Sequence, residues 1–255
     1  MLQHRERAAL LIDRVAPVLD ALAARVLDRL DDVSRVFATA LDFGGRGAVA
    51  PTLRARGMVV DCADISPRMA ALAGGRPVPI TPERWAREDF ALGVQQYDLV
   101  VASLSLHWIN DLPGALVQFR RALRPGGLML ASMPVLGTLQ SLRDALLAAE
   151  AEITGGASPR VSPFPTLQDC AALLQRAGFA LPVADVEDIA FSYASPLALL
   201  HDLRAAGENN AVTARQKSFT PARLFPMALG ALPVGPDGRV RAMLRLAVLT
   251  GWGPD

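Results

Sequence analysis

Three apolar runs in the first half of the chain each lead into a helix-starting signal, the first two by way of glycine or an acid, which leaves few folds open. Val36 to Phe43 enters Gly44-Gly45-Arg46-Gly47, and Gly57 to Asp64 enters Ser66-Pro67, an N-cap with proline in the first turn. Tyr97 to Leu104 is nearly continuous in apolar residues, as in a central parallel strand covered on both faces. Asn110 or Asp111 then caps a helix with Pro113 in its first turn. After a turn at Arg124-Pro125-Gly126-Gly127, Leu128 to Met133 reads as the next strand. Strand and helix alternating at this spacing predict a doubly wound, mostly parallel α/β sheet.

The flanking segments differ. Leu11, Val15, Val18, Leu22, Val26 and Leu30 recur at steps of three and four, so an amphipathic helix precedes the sheet, with Pro17 either a kink or the first turn of a second helix. Beyond residue 134 a helix from Leu139 to Ile153 leads into the Gly- and Pro-rich stretch 155–165. A helix from Gln168 to Ala177 closed by Gly178, a strand from Val183 to Phe191, an irregular helical stretch over 196–232 and a last strand from Val240 to Trp252 follow. The expected organisation is a single domain over 1–255. It comprises a helical cap (1–35), a core (36–133), a lid with one strand (134–232) and a final hairpin strand (233–255).

With 51% hydrophobic and 20% charged residues, disorder is not expected. Twenty-six basic residues against 25 acidic leave a formal charge of +1, which gives no general pull on nucleic acid or an anionic membrane. Cys62 and Cys170 read as buried small hydrophobes, and with three histidines in the chain no metal site is expected. No apolar run has the length of a membrane span, and Met1 to Glu6 lack the apolar core of a signal peptide. The arginine and alanine bias fits a GC-rich bacterial genome. The expected compartment is the bacterial cytoplasm, with any tie to the inner membrane peripheral and through a partner.

The chemistry is expected at the strand ends. Gly44, Gly45 and Gly47 let backbone approach a ligand, and the next helix offers free N–H groups to an anionic group such as a carboxylate. Asp64, about 20 residues on, is placed to accept hydrogen bonds from both ribose hydroxyls of a nucleoside. This spacing alone leaves a dinucleotide dehydrogenase and an S-adenosylmethionine enzyme both open. Asp42 favours the second, because a carboxylate there suits a free ammonium and repels a pyrophosphate. The loop also lacks a spaced third glycine.

Taken together, Asp42-Phe43-Gly44-Gly45-Arg46-Gly47, Asp64 to Met69, Tyr97 to Val101, Leu106 to Asp111 and Leu123 to Gly127 resemble the ordered motifs of class I S-adenosylmethionine-dependent methyltransferases. A closer resemblance runs through Ser103 to Trp108, Gly155-Gly156 with Ser158-Pro159 and Ser162-Pro163-Phe164, and Asp202-Leu203-Arg204 with Gly207-Glu208-Asn209. It is to the mitochondrial complex I assembly factor 5 family, an arginine hydroxylase family, and its bacterial relatives. Biotin-pathway malonyl-carrier-protein methyltransferases are similar over the first half. The resemblance implies a Rossmann-like seven-stranded sheet, parallel except for the final hairpin strand. Asp42, Gly44 and Gly47 would then meet the methionine portion of S-adenosylmethionine, Asp64 the ribose and Ile65 or Met69 the adenine, with Ser103 and Leu104 beneath the sulfonium. Two departures stand out. The family's Asp-x-Gly-x-Gly-x-Gly is one residue shorter here, and the acid that should meet the adenine amino group is either Glu88 or Asp89.

His107 follows the fourth strand, where a base or a structural His-Trp pair with Trp108 are both open. Arg160, Arg204 and Arg215, with Asp202 and Glu208, are expected either as a charged lid for a protein substrate or as ordinary surface ion pairs. The expected activity is methyl transfer to, or assembly of, a protein partner, with a respiratory complex I subunit in view. Arginine hydroxylation, a non-catalytic assembly chaperone and malonyl-carrier-protein methylation are the alternatives.

Overall fold

A computed structural model describes residues 2–156, 158–212, 215 and 219–254. Seven strands form one sheet in the order β3-β2-β1-β4-β5-β7-β6. The parallel part comprises β1 (Thr39–Phe43), β2 (Val59–Ala63), β3 (Arg76–Pro77), β4 (Tyr97–Ser103) and β5 (Leu123–Pro134). The last strand, β7 (Val240–Trp252), runs antiparallel to both β5 and β6 (Ala180–Tyr193). This is the Rossmann-like class I sheet that the resemblance implies.

Period-two alternation along β4 divides the core. Leu99 and Val101 pack with Leu128 and Leu130 under α2 (Ala16–Leu27) and α3 (Val49–Ala55). Val100 and Ala102 pack with Met129 and Ala131 under α6 (Leu112–Ala122) and α8 (Leu167–Ala177). Four other helices join these: α1 (Leu2–Ala8), α4 (Pro67–Ala73), α5 (Pro82–Ala86) and α7 (Gln140–Thr154). Between β6 and β7 lie α9 (Pro196–Ala205) and α10 (Leu224–Gly230).

Local signals act where they were read. Ser66 caps α4 by accepting the Met69 N–H at 3.1 Å. Asp111, rather than Asn110, caps α6 through the Gly114 N–H at 3.0 Å. Pro17 lies in the first turn of α2, and turns over residues 9–15 separate that helix from α1, so the amino-terminal periodicity spans two helices. Strand boundaries move, and at β1 and β5 the cause is visible. β1 starts at Thr39 because the Asp98 carboxylate takes the N–H groups of Ala38 and Thr39 at 3.0 and 2.9 Å, leaving Val36 in solvent. β5 begins at Leu123 and carries the Pro-Gly-Gly turn as an irregularity between its pairings with Tyr97 and Leu99, which the positive φ of Gly126 permits.

Candidate functional site

After β3 the chain crosses the sheet to β4, so the strand order reverses between β1 and β4. In open α/β sheets this reversal opens a crevice at the carboxyl ends of the strands. Asp42, Gly44, Gly45, Gly47, Asp64, Ser103 and Leu104 all lie at that end; Gly47 is half-buried, the Asp64 side chain is shielded, and the others are buried. Asp42 is 1% exposed. One oxygen accepts the Ala50 N–H at 3.1 Å, while Oδ1 has no partner among the described residues. One of the α3 N–H groups expected to serve a ligand is therefore already taken by Asp42. Burial pushes the Asp42 carboxyl up to about 7, opposed by the Ala50 N–H and helped by the nearby Asp64 charge. Glycine at 45 is obligatory, since a Cβ there would come within 2.0 Å of the carboxylate.

Asp64 has a partner that the sequence did not announce. Arg5 of α1 forms an ion pair with it, donating from Nε to Oδ1 at 3.1 Å and from Nη2 to Oδ2. The same guanidinium donates to the Gly44 carbonyl at 3.2 Å. Asp64 Oδ1 also accepts the Ser66 N–H at 2.8 Å. Gly44 lies against Ser105, whose Cβ would be 2.6 Å from an added side chain, and the Ser105 hydroxyl donates to Phe43 O at 2.7 Å. The close approach that glycine allows is thus used by the chain itself.

A second buried ion cluster lies across the loop. Arg46, with φ of 54°, turns its guanidinium inward to donate to Leu104 O at 2.7 Å and to Glu208 at 2.5 Å. The other Glu208 oxygen lies 2.9 Å from His107 Nε2. Burial pushes the Glu208 carboxyl up, but His107 and Arg46 outweigh it and hold it at about 2. A carboxylate accepts only, so Nε2 carries the hydrogen, and His107 Nδ1 is left buried with no partner among the described residues. The sequence offered His107 and Glu208 separately, and 101 positions between them concealed the pair.

The other expected residues divide. Met69, 1% exposed, packs with Leu104 beneath Ala8, Ala9 and Ile12, and Ile65 packs against the core on the opposite face. Asp89 pairs with Arg84 at 3.1 Å, and Glu88 takes the N–H groups of Asn110 and Asp111 at 2.7 and 2.6 Å. The three arginines are not gathered into one patch. Arg160 pairs with buried Glu150 at 2.7 Å and lines a cavity of about 400 Å³ beside Arg143, Ser158 and Val212. Arg204 is exposed on the last turn of α9, and Arg215 is exposed and donates to the Val212 carbonyl.

The methyltransferase-domain family profile matches residues 4–182, which include every one of these strand ends. The chain belongs to the methyltransferase-domain family. It is 33% identical to the mitochondrial arginine-hydroxylase NDUFAF5 of Danio rerio over 92% of its own length and 74% of that protein. It is 31% identical to a malonyl-[acyl-carrier protein] O-methyltransferase of Laribacter hongkongensis over 98% of its length and 87% of that protein. Among solved structures, the YcgJ protein of Bacillus subtilis shares the fold, with a TM-score of 0.57 at 11% identity over 91% of this chain and 99% of that one. At the carboxyl end of the sheet Arg5 covers Asp64, and Arg46 turns in to Leu104 O and Glu208.

Proposed function

We propose that the chain binds S-adenosylmethionine at the carboxyl ends of β1, β2 and β4 and methylates an acceptor borne on a protein. The observation that carries this reading is the donor set. Buried Asp42 has an unpartnered oxygen suited to an ammonium group, and Asp64 has a carboxylate already holding two N–H donors of Arg5 besides the Ser66 N–H. Two adjacent ribose hydroxyls ask the same of Asp64 as the guanidinium does, so the residues fit the cofactor's chemistry once Arg5 withdraws.

When bound, S-adenosylmethionine supplies a methyl group on a sulfonium. The acceptor that receives it would give up a proton. For an in-line transfer the protein must chiefly align donor and acceptor, so no nucleophilic side chain is needed. His107 Nδ1 is the group available to take that proton, because Glu208 orients the ring from Nε2 and Arg46 keeps Glu208 charged. Arg46 therefore acts twice, shaping the glycine loop and fixing the base. The acceptor side is assigned to the 155–165 segment and α9, with exposed Arg204 and Arg215 as separate cationic groups and Arg160 held by Glu150. By its family resemblance the partner is a respiratory complex I subunit.

The second reading keeps the fold and changes the chemistry. The NDUFAF5 relative is named an arginine hydroxylase, and the closed Arg5–Asp64 pair equally suits an assembly factor without methyl transfer. Mass spectrometry of candidate complex I subunits and of malonyl-carrier protein, after incubation with the enzyme and S-adenosylmethionine, tests this. Gain of a methyl group is expected. Gain of one oxygen atom supports hydroxylation, and no change in any partner supports the assembly factor.

A further inference from the structure

Helix α1 is docked on the cofactor motifs almost wholly by polar contacts. Of its seven residues, Arg5 and Ala8 are the ones buried. One alanine gives little hydrophobic anchorage. What holds the helix is Arg5 on Asp64 and Gly44 O, together with Glu6, which accepts from the Ser66 hydroxyl at 2.5 Å. Both ties end on residues of the glycine loop or the end of β2. The side chains of Arg5 and Asp64 are 4% and 5% exposed, so no ligand reaches the carboxylate while Arg5 is in place.

The segment after α1 is built to stay when α1 leaves. Ile12 and Val15 are buried over Met69 and Leu104 and anchor the chain there. Between them and α1, Leu10 is 67% exposed in a stretch of turns, flanked by Ala9 and Leu11, which pack against the Met69–Leu104 cluster. Rotation about residues 9–11 frees Arg5 and lifts Ala8, while Ile12 and Val15 stay over the Met69–Leu104 cluster.

A guanidinium presents parallel N–H donors to a carboxylate, and a ribose presents two neighbouring hydroxyls to the same oxygens. One buried carboxylate cannot serve both. We propose that α1 is an internal competitor of the cofactor, with Arg5 occupying the ribose-binding carboxylate of Asp64 until α1 swings away about residues 9–11. The inference rests on the cofactor reading above. Apparent affinity is then the intrinsic affinity reduced by the fraction of molecules in which α1 is undocked. A partner protein that captures α1 would switch the site on.

Calorimetric titration of the full-length protein with S-adenosylhomocysteine tests the competition. Arg5→Ala and Arg5→Met are both expected to bind at least tenfold tighter than wild type, although each lowers the melting temperature of the free protein. A residue of purely structural value would lower stability and leave affinity unchanged or weaker. Hydrogen exchange on the wild type gives a readout that needs no variant: amides of α1 should exchange faster when the ligand is bound. Equal or weaker binding by the Arg5 variants, or α1 amides protected by ligand, overturns the competition and leaves the cofactor reading standing. Absence of binding by wild type and variants alike removes the cofactor reading, and the competition falls with it.

Discussion

Two arginines meet buried carboxylates at the same end of the sheet, and the fold holds them in opposite ways. Arg46 sits between β1 and α3, both fixed in the core, and its partner Glu208 has a second contact in His107. Arg5 sits on a seven-residue helix joined to the molecule through an exposed turn, and its partner Asp64 keeps a further hydrogen bond from Ser66 when Arg5 leaves. The same chemical pair is scaffold in one place and latch in the other. What differs is how much of the surrounding chain must move for the pair to part.

The largest effect is expected at the scaffold. Glu208→Ala leaves the Arg46 guanidinium buried without its carboxylate, and removing one member of a buried pair costs about 3–5 kcal/mol. Arg5→Ala should cost about 1–2 kcal/mol, since Asp64 retains the Ser66 N–H and α1 can move aside. Urea unfolding of both variants measures the gap. Equal losses would erase the distinction between scaffold and latch.

Next in size are two pH effects of opposite sign. Glu208 is held at about 2, below its ordinary 4.5, so its contribution to stability is complete above 4.5 and is lost as pH falls toward 2. Glu208→Gln should flatten that acid limb. Asp42 is raised from 3.8 to about 7, so the native state binds the extra proton, and stability from this group declines as pH rises from about 4 through 7. Asp42→Asn should remove that decline. Unfolding midpoints recorded from pH 3 to 8 separate the two, and a wild-type slope unchanged in both variants would contradict the assignment.

The smallest structural effect is expected at Arg204, exposed on α9. Arg204→Ala should change stability by less than about 0.5 kcal/mol and cofactor affinity by less than about threefold, a difference under 1 kcal/mol, while impairing modification of the partner. A loss of cofactor affinity in this variant would show that the floor and the acceptor side are not separate.

The latch and the scaffold also differ in how they could be read from sequence. Strands, caps and the glycine loop were legible because their signals are local: Ser66-Pro67 starts α4, Asp111 with Pro113 starts α6, and the apolar run from Tyr97 builds β4. Asp42 and Asp64 were legible because strand-end carboxylates sit next to their motifs. The partners were not. Arg5 lies 59 positions from Asp64, and Glu208 lies 162 from Arg46, distances that only the folded chain closes. Arg46 looked like a departure within a shortened loop, and its inward turn depends on a left-handed backbone and on a distant acid. Arg160, in contrast, carried a functional expectation and is found paired with Glu150, a carboxylate ten positions away on α7.

The account turns on Asp64 serving Arg5 and the cofactor by turns, and a double-mutant cycle on S-adenosylhomocysteine binding measures that directly. Arg5→Ala is expected to tighten binding at least tenfold, about 1.4 kcal/mol, when Asp64 is present. It should have no effect in the Asp64→Ala background, where there is no carboxylate to release. The doubly substituted protein should bind at least tenfold more weakly than Arg5→Ala alone. Equal effects of Arg5→Ala in both backgrounds, or full affinity without Asp64, would contradict the account.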